Sequence, residues 1–217
     1  MMQTLLSEVA KKYPLKELHI GNMSKVKANG MTFSIKAYQA QSLGHVSVMS
    51  AKGFFGLMKM DTLIINPTVK DLPLYSYDRI YAMGNDTLIV ELYHTLVDEC
   101  PLSELQTVKD LYKDLPEHTL GSHWYDSIKL PESISKKGKK AQSSRFDELT
   151  TKHLAAYLKA APQSNTSSPE AKQKKASYYV EGLLKNGGPS TDVFKKALGE
   201  EKTADLFRKI LFGTDTL

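Results

Sequence analysis

The 217-residue chain carries 29 Lys and Arg against 24 Asp and Glu, a net charge of +5, with 41% hydrophobic residues. Those proportions suit one globular domain over 1–217, and the positive balance favours acidic partners: nucleic acid, an acidic protein or an anionic small molecule. One cysteine excludes an intramolecular disulfide and any cysteine-rich metal centre, and no apolar run forms a leader or reaches the ~18–20 residues of a membrane span, so a cytoplasmic location without a membrane partner is expected.

Thr4 to Tyr13 has Leu5, Leu6, Val9 and Ala10 at helical spacing, with Pro14 as the stop. A strand-rich half follows. Met31 to Ala40 alternates Met31, Phe33, Ile35 and Ala37 against Thr32, Ser34, Lys36 and Tyr38; His45 to Met49 and the apolar part of Phe54 to Asn66 continue the pattern. Tyr77 to Met83 and Thr87 to Tyr93 flank Gly84-Asn85-Asp86, a hairpin turn. Connections this short make an antiparallel meander, because parallel pairs need long crossovers.

The period then changes from two to about 3.6. Pro101 to Leu115 carries Leu102, Leu105, Val108, Leu111, Tyr112 and Leu115 on one stripe. Lys129 to Arg145, rich in lysine and holding Gly138, reads as a mobile loop. A helix runs from Ser144 to about Ala161, and 162–168 is a polar linker. Ser168-Pro169-Glu170 is an N-cap, an N1 proline and an acidic first turn, opening a helix to about Lys185. Asn186-Gly187-Gly188-Pro189 ends it, and two helical pieces, Ser190 to Leu198 and Glu200 to Leu211, divide at Gly199. A sheet followed by helices is an α+β layout.

Nucleotide-binding glycine motifs and the G-x-S-x-G elbow are absent. His118 and His123 lack a third ligand nearby in sequence, so no metal is expected. Cys100 reads as a small hydrophobe and Trp124 as an anchor to the core. Asp78 stands out, because in a strand it shares a face with Ile80 and Ala82. Such an acid either faces solvent or caps a turn, or it is held on an apolar surface and kept partly protonated.

Three stretches together resemble the ferredoxin-dependent bilin reductases of the phycocyanobilin:ferredoxin oxidoreductase type, with red chlorophyll catabolite reductases as distant relatives. Ile64-Ile65-Asn66-Pro67 followed by Leu72-Pro73-Leu74-Tyr75-Ser76-Tyr77-Asp78-Arg79-Ile80 looks like that family's strand, proline, then L-P-x-[FY]-x-x-D-x-hydrophobic pattern. Thr87 to Leu92 is similar to its next strand, and Asp192 to Gly213, with Ala197-Leu198-Gly199, Ala204 and Ile210-Leu211-Phe212, to its closing run.

The resemblance implies a three-layer α/β/α sandwich around a central antiparallel sheet. Its ligand would be a linear tetrapyrrole such as biliverdin, lying between the sheet and the C-terminal helices. It implies no bound cofactor, electrons delivered singly by an acidic ferredoxin, and Asp78 as proton donor. Tyr75, Thr62, Lys185 and Asn186 become candidate substrate contacts, with Lys185 a partner for a propionate. To hold a proton near neutral pH, Asp78 must rise ~3 units above its reference ~3.9, worth ~4 kcal/mol. Two departures qualify the resemblance: Thr62 or a neighbour stands where several members have a histidine, and Gly188 where others have an aspartate. A non-catalytic tetrapyrrole-binding protein on the same fold, and an unrelated α+β protein binding nucleic acid or protein through its basic loop, are the alternatives.

Overall fold

The computed structural model describes residues 1–161 and 165–215; the first three residues of the expected linker over 162–168 lie outside that description. Alternation of apolar and polar side chains builds an antiparallel sheet of eight strands among the described residues. These are β1 (Leu15–Glu17), β2 (Lys25–Ala28), β3 (Met31–Ala40), β4 (Gly44–Gly53), β5 (Met58–Pro67), β6 (Leu74–Ala82), β7 (Asn85–Tyr93) and β8 (Ile134–Lys139). Their order is β1-β3-β4-β5-β6-β7-β8, with β2 pairing the first residues of β3 and β1 the last. The meander is as expected, although β4 is longer than His45 to Met49. The β6–β7 turn is also tighter than Gly84-Asn85-Asp86. It closes on Met83 and Gly84, at φ 50° and 72°, a pair of left-handed residues that matches the twist of a two-residue hairpin.

The lysine-rich stretch is not a loop. Within it, β8 pairs with β7, Val90 opposite Ile134 and Thr87 opposite Lys137. Lys136 shares the inner face with Ile134 and is only 2% exposed, its ammonium donating to the Leu115 carbonyl at 3.1 Å and pairing with Glu117. Charge hid a period-two pattern, because a lysine can bury its stem and still satisfy its head. Lysines on an outer strand also discourage edge-to-edge association.

Helices α1 (Met2–Lys12), α2 (Ser103–Leu111) and α3 (Ser143–Ala160) cover one face of the sheet. The other is covered by α4 (Pro169–Asn186), α5 (Pro189–Leu198) and α6 (Glu200–Asp205), which continues as a π-helical turn over Leu206–Leu211. The result is an α+β three-layer sandwich with the sheet in the middle. The Ser168 hydroxyl accepts the Ala171 N–H at 3.2 Å, and Gly187 closes α4 at φ 82°. The expected Pro101–Leu115 helix keeps only its middle; Tyr112 and Leu115 remain buried in the turns beyond it.

Strand parity divides the core in two. Tyr75, Tyr77, Leu88, Val90 and Leu92 face α1–α3, whereas Ile64, Leu74 and Tyr93 face α4–α6. On the α1–α3 side, His153 lies fully buried, with Nδ1 3.5 Å from the Tyr75 hydroxyl and Nε2 3.2 Å from the Glu132 carbonyl. Burial pulls its pKa down to about 4. A folded value below the ordinary one means stability is lost as pH falls from about 6.5 towards 4, since the unfolded chain binds the proton more readily. His153→Gln should therefore flatten the acid limb of the unfolding free energy by up to ~3 kcal/mol, measured by urea denaturation at pH ~7 and ~4.5.

Candidate active site

Between the sheet and α4–α6 lies a cleft of about 950 Å³, its open mouth included. Its floor is built by parity: Met60, Thr62 and Ile64 from β5, Ser76, Asp78 and Ile80 from β6, and Ile89, Glu91 and Tyr93 from β7. Tyr179 and Leu183 of α4 form one wall, and Leu120, His123 and Tyr125 another. Phe207, Leu211 and Phe212 form the roof.

The roof is held by polar side chains of the sheet. His45 Nε2 meets the Ile210 carbonyl, the Ser47 hydroxyl donates to the Leu211 carbonyl and the Asn66 amide to the Phe212 carbonyl, each at 2.7 Å. A helix end leaves such carbonyls without partners, and these three side chains supply them. The chain then turns at Gly213, φ 60°, where a Cβ would sit 2.3 Å from the His45 ring. His45 is thus committed to the roof rather than to the cavity.

Asp78 stands on the floor. Thr62 lies directly opposite it in the β5–β6 ladder and donates its hydroxyl to Asp78 Oδ1 at 2.5 Å. Among the described residues no protein donor reaches the second carboxylate oxygen. Burial pushes the Asp78 pKa up to about 6; the Glu91 charge adds to the rise, and the Thr62 hydrogen bond opposes it. An acid with a pKa near 6 is about half protonated at pH ~6 and about one-tenth protonated at pH ~7, and it releases that proton readily.

Glu91 is the second carboxylate of the cleft. Its Oε2 accepts the Tyr93 hydroxyl at 2.5 Å. The Lys129 ammonium stands 3.6 Å from Oε1, close enough for charge pairing and too far for a hydrogen bond, because Lys129 is held by Asp126 at 2.8 Å. The Tyr93 and Tyr179 rings stack at 4.0 Å, and Tyr125 meets Tyr93 edge-on at 5.5 Å. Trp124 packs on Tyr125 and Tyr179, as an anchor should, and any Cβ at Gly182 would strike its ring. The lining is rich in aromatic rings, as small-molecule clefts commonly are.

Of the candidate contacts, Asp78 and Thr62 meet on the floor. Tyr75 does not belong to the cavity: odd-numbered β6 residues face α3, and Tyr75 is buried there against Tyr157 at 4.8 Å. Lys185 and Asn186 are exposed at the end of α4 and do not line the cleft. The inward side of that helix is Tyr179 and Leu183, and Lys185 falls two residues past the latter, on the outer side of a 3.6-residue repeat. Gly188, at the position compared with an aspartate, does line the cavity. Asp61 faces away from it and accepts the Ser50 hydroxyl at 2.6 Å. Glu91 had a readable signal: it stands between Val90 and Leu92 and by parity shares its face with Ile89 and Tyr93, as Asp78 shares one with Ile80. Among the described residues no three His, Cys, Asp or Glu side chains converge as metal ligands, and no helix is long and apolar enough to cross a membrane.

No protein-family model matches the chain, and no curated protein matches it either. Its fold is similar to that of a crystal structure of phytochromobilin synthase from tomato in complex with biliverdin. The TM-score is 0.75 at 13% sequence identity, over 98% of this chain and 81% of that one. At that identity the likeness establishes a shared fold: helices on both faces of a large antiparallel sheet, as expected for the sandwich.

Proposed function

We propose that the protein, acting as one domain over 1–217 in the cytoplasm, reduces a linear tetrapyrrole, with Asp78 as a proton donor. A cofactor-free reductase of this kind takes electrons singly from an acidic ferredoxin-type donor. One carbon–carbon double bond accepts two electrons and two protons, and the protein's share of the work is to bind, orient and protonate. The observation that carries the reading is Asp78, held near a pKa of about 6 on the apolar floor of a cavity walled by aromatic rings. Thr62 fixes one carboxyl oxygen and leaves the other towards the cavity. Tyr179, Tyr125 and His123 line the cleft with aromatic surface for the pyrroles, and the fold is one that holds biliverdin in the tomato enzyme.

A non-catalytic tetrapyrrole-binding protein is the second reading, favoured by the absence of an acid at Gly188 and of a histidine at Thr62. Biliverdin titrated into the purified protein should shift its visible absorption with 1:1 saturation. Reduced ferredoxin added anaerobically should then bleach or shift the bound spectrum. No spectral change in the first step defeats both readings. Binding without reduction leaves only the second.

A further inference from the structure

The β4–β5 hairpin closes on Phe54, Phe55, Gly56 and Leu57. Phe54 and Phe55 both have positive φ, 49° and 54°, a region that asparagine and glycine occupy readily and bulky aromatics do not. Packing does not compensate that strain. Phe55 is 108% exposed, Leu57 74% and Phe54 51%. Met83, 92% exposed, caps the adjacent hairpin; it follows Ala82, which lies opposite Met58 in the ladder. Four large apolar side chains therefore project from one end of the sheet.

The charge beneath them has one sign. Lys52 and Lys59 bracket the tip and lie directly opposite each other, an arrangement that costs stability unless an anion offsets it. Thr32 pairs with Lys52 on one side and Lys27 on the other, so Lys27, Lys52 and Lys59 form a row across β2–β5 on the α1–α3 side. All three are exposed, and none has an ion-pair partner among the described residues. Asp61, one ladder row further in, is bonded to Ser50. The cleft also opens towards this end, since Met60 and Ile80 are partly exposed whereas Ile64 and Tyr93, further along the floor, are buried.

We propose that this end of the sheet docks the protein on an anionic lipid bilayer. Phe54, Phe55, Leu57 and Met83 enter the boundary between headgroups and acyl chains, and Lys27, Lys52 and Lys59 meet lipid phosphates. Flanking cations around an apolar anchor are the composition of an interfacial attachment, which needs no spanning segment. A protruding tip suits a fluid surface that closes around it, whereas a folded partner would need a matching pit. Self-pairing would set the lysine rows of two copies against each other.

Cosedimentation of the full chain with phosphatidylcholine vesicles, with and without about 30% phosphatidylserine, tests this. Binding to the anionic vesicles should exceed that to neutral ones by about tenfold or more and weaken with salt. Phe54→Asn/Phe55→Asn should reduce it about tenfold while the melting temperature holds or rises, because asparagine tolerates the left-handed turn. Lys52→Glu/Lys59→Glu should reduce it by a similar factor or more. The proposal is overturned by equal binding to both vesicle types, by binding that survives the asparagine pair, or by a lower melting temperature of that pair. It is also overturned if those variants abolish only self-association or capture of an acidic protein, with no vesicle binding in the parent.

Discussion

Asp78→Asn is expected to leave biliverdin affinity within a few-fold of the parent and to lower the rate of reduction by roughly 10²–10⁴, the usual contribution of a positioned proton donor. Asparagine keeps the shape and can still accept the Thr62 hydroxyl, so loss of the acidic proton is the main change. The same substitution has a signature in the ligand-free protein. The folded pKa of about 6 lies above the ordinary value, so the folded state holds its proton more tightly than the unfolded chain. The contribution of Asp78 to stability is then greatest below pH ~4 and falls as pH rises through ~6, where the carboxylate is forced to ionise on an apolar surface. Asp78→Asn should thus stabilise the protein by ~1–3 kcal/mol at pH ~8 and by little at pH ~4. Urea titrations at the two pH values and single-turnover spectra read both effects. Normal turnover would remove Asp78 from the chemistry, and a pH-independent change would show that its environment is not strained.

Asp86→Ala should cost ~3–5 kcal/mol, because it strands a buried cation. Arg79 is 0% exposed and lies between the Phe146 and Tyr81 rings, its guanidinium 5.0 and 5.3 Å from their centroids. Its Nε and Nη2 both donate to the Asp86 carboxylate, the latter at 2.6 Å, and Ser143 at the start of α3 donates its hydroxyl to the same carboxylate. The pair ties the β6–β7 hairpin to α3. Asp147, 3.4 Å from Arg79, is half exposed to water and a weaker substitute. Replacing both partners, as in Arg79→Met/Asp86→Leu, should recover most of the loss, since an apolar pair of similar volume avoids the desolvation cost. Equilibrium denaturation of the single and double variants checks both statements. A loss under ~1 kcal/mol for Asp86→Ala would show that Asp147 suffices.

Where side-chain period and backbone chemistry agreed, the fold was legible. Met31–Ala40 has the bounds its alternation predicts, and Ser168-Pro169 opens α4 as capping requires. The short outer strands β1 and β2 carried too few residues to show a period, and β8 was concealed because lysine at an inward position imitates a solvated loop. The site was half legible. Parity along β6 placed Asp78 with Ile80, and the same rule applied backwards would have removed Tyr75. Thr62 depended on pairing register, which connects residues 16 apart. Lys185 and Asn186 lie at the end of a helix in the sequence pattern, and only the rotation of α4 about its axis reveals that they face outward.

The clasp on the roof has a consequence for how the cavity comes into being. Its three hydrogen bonds join residues 165, 164 and 146 positions apart, so each closes a loop spanning most of the chain. Chain closure over such separations is slow and comes after local pairing. During synthesis, every strand leaves the ribosome before Phe207 to Gly213 does. The sheet can therefore stand with its cleft face bare, and the tetrapyrrole of the proposed function, if it met the nascent chain at that moment, would be laid onto an open platform and roofed over afterwards, without threading through a finished mouth.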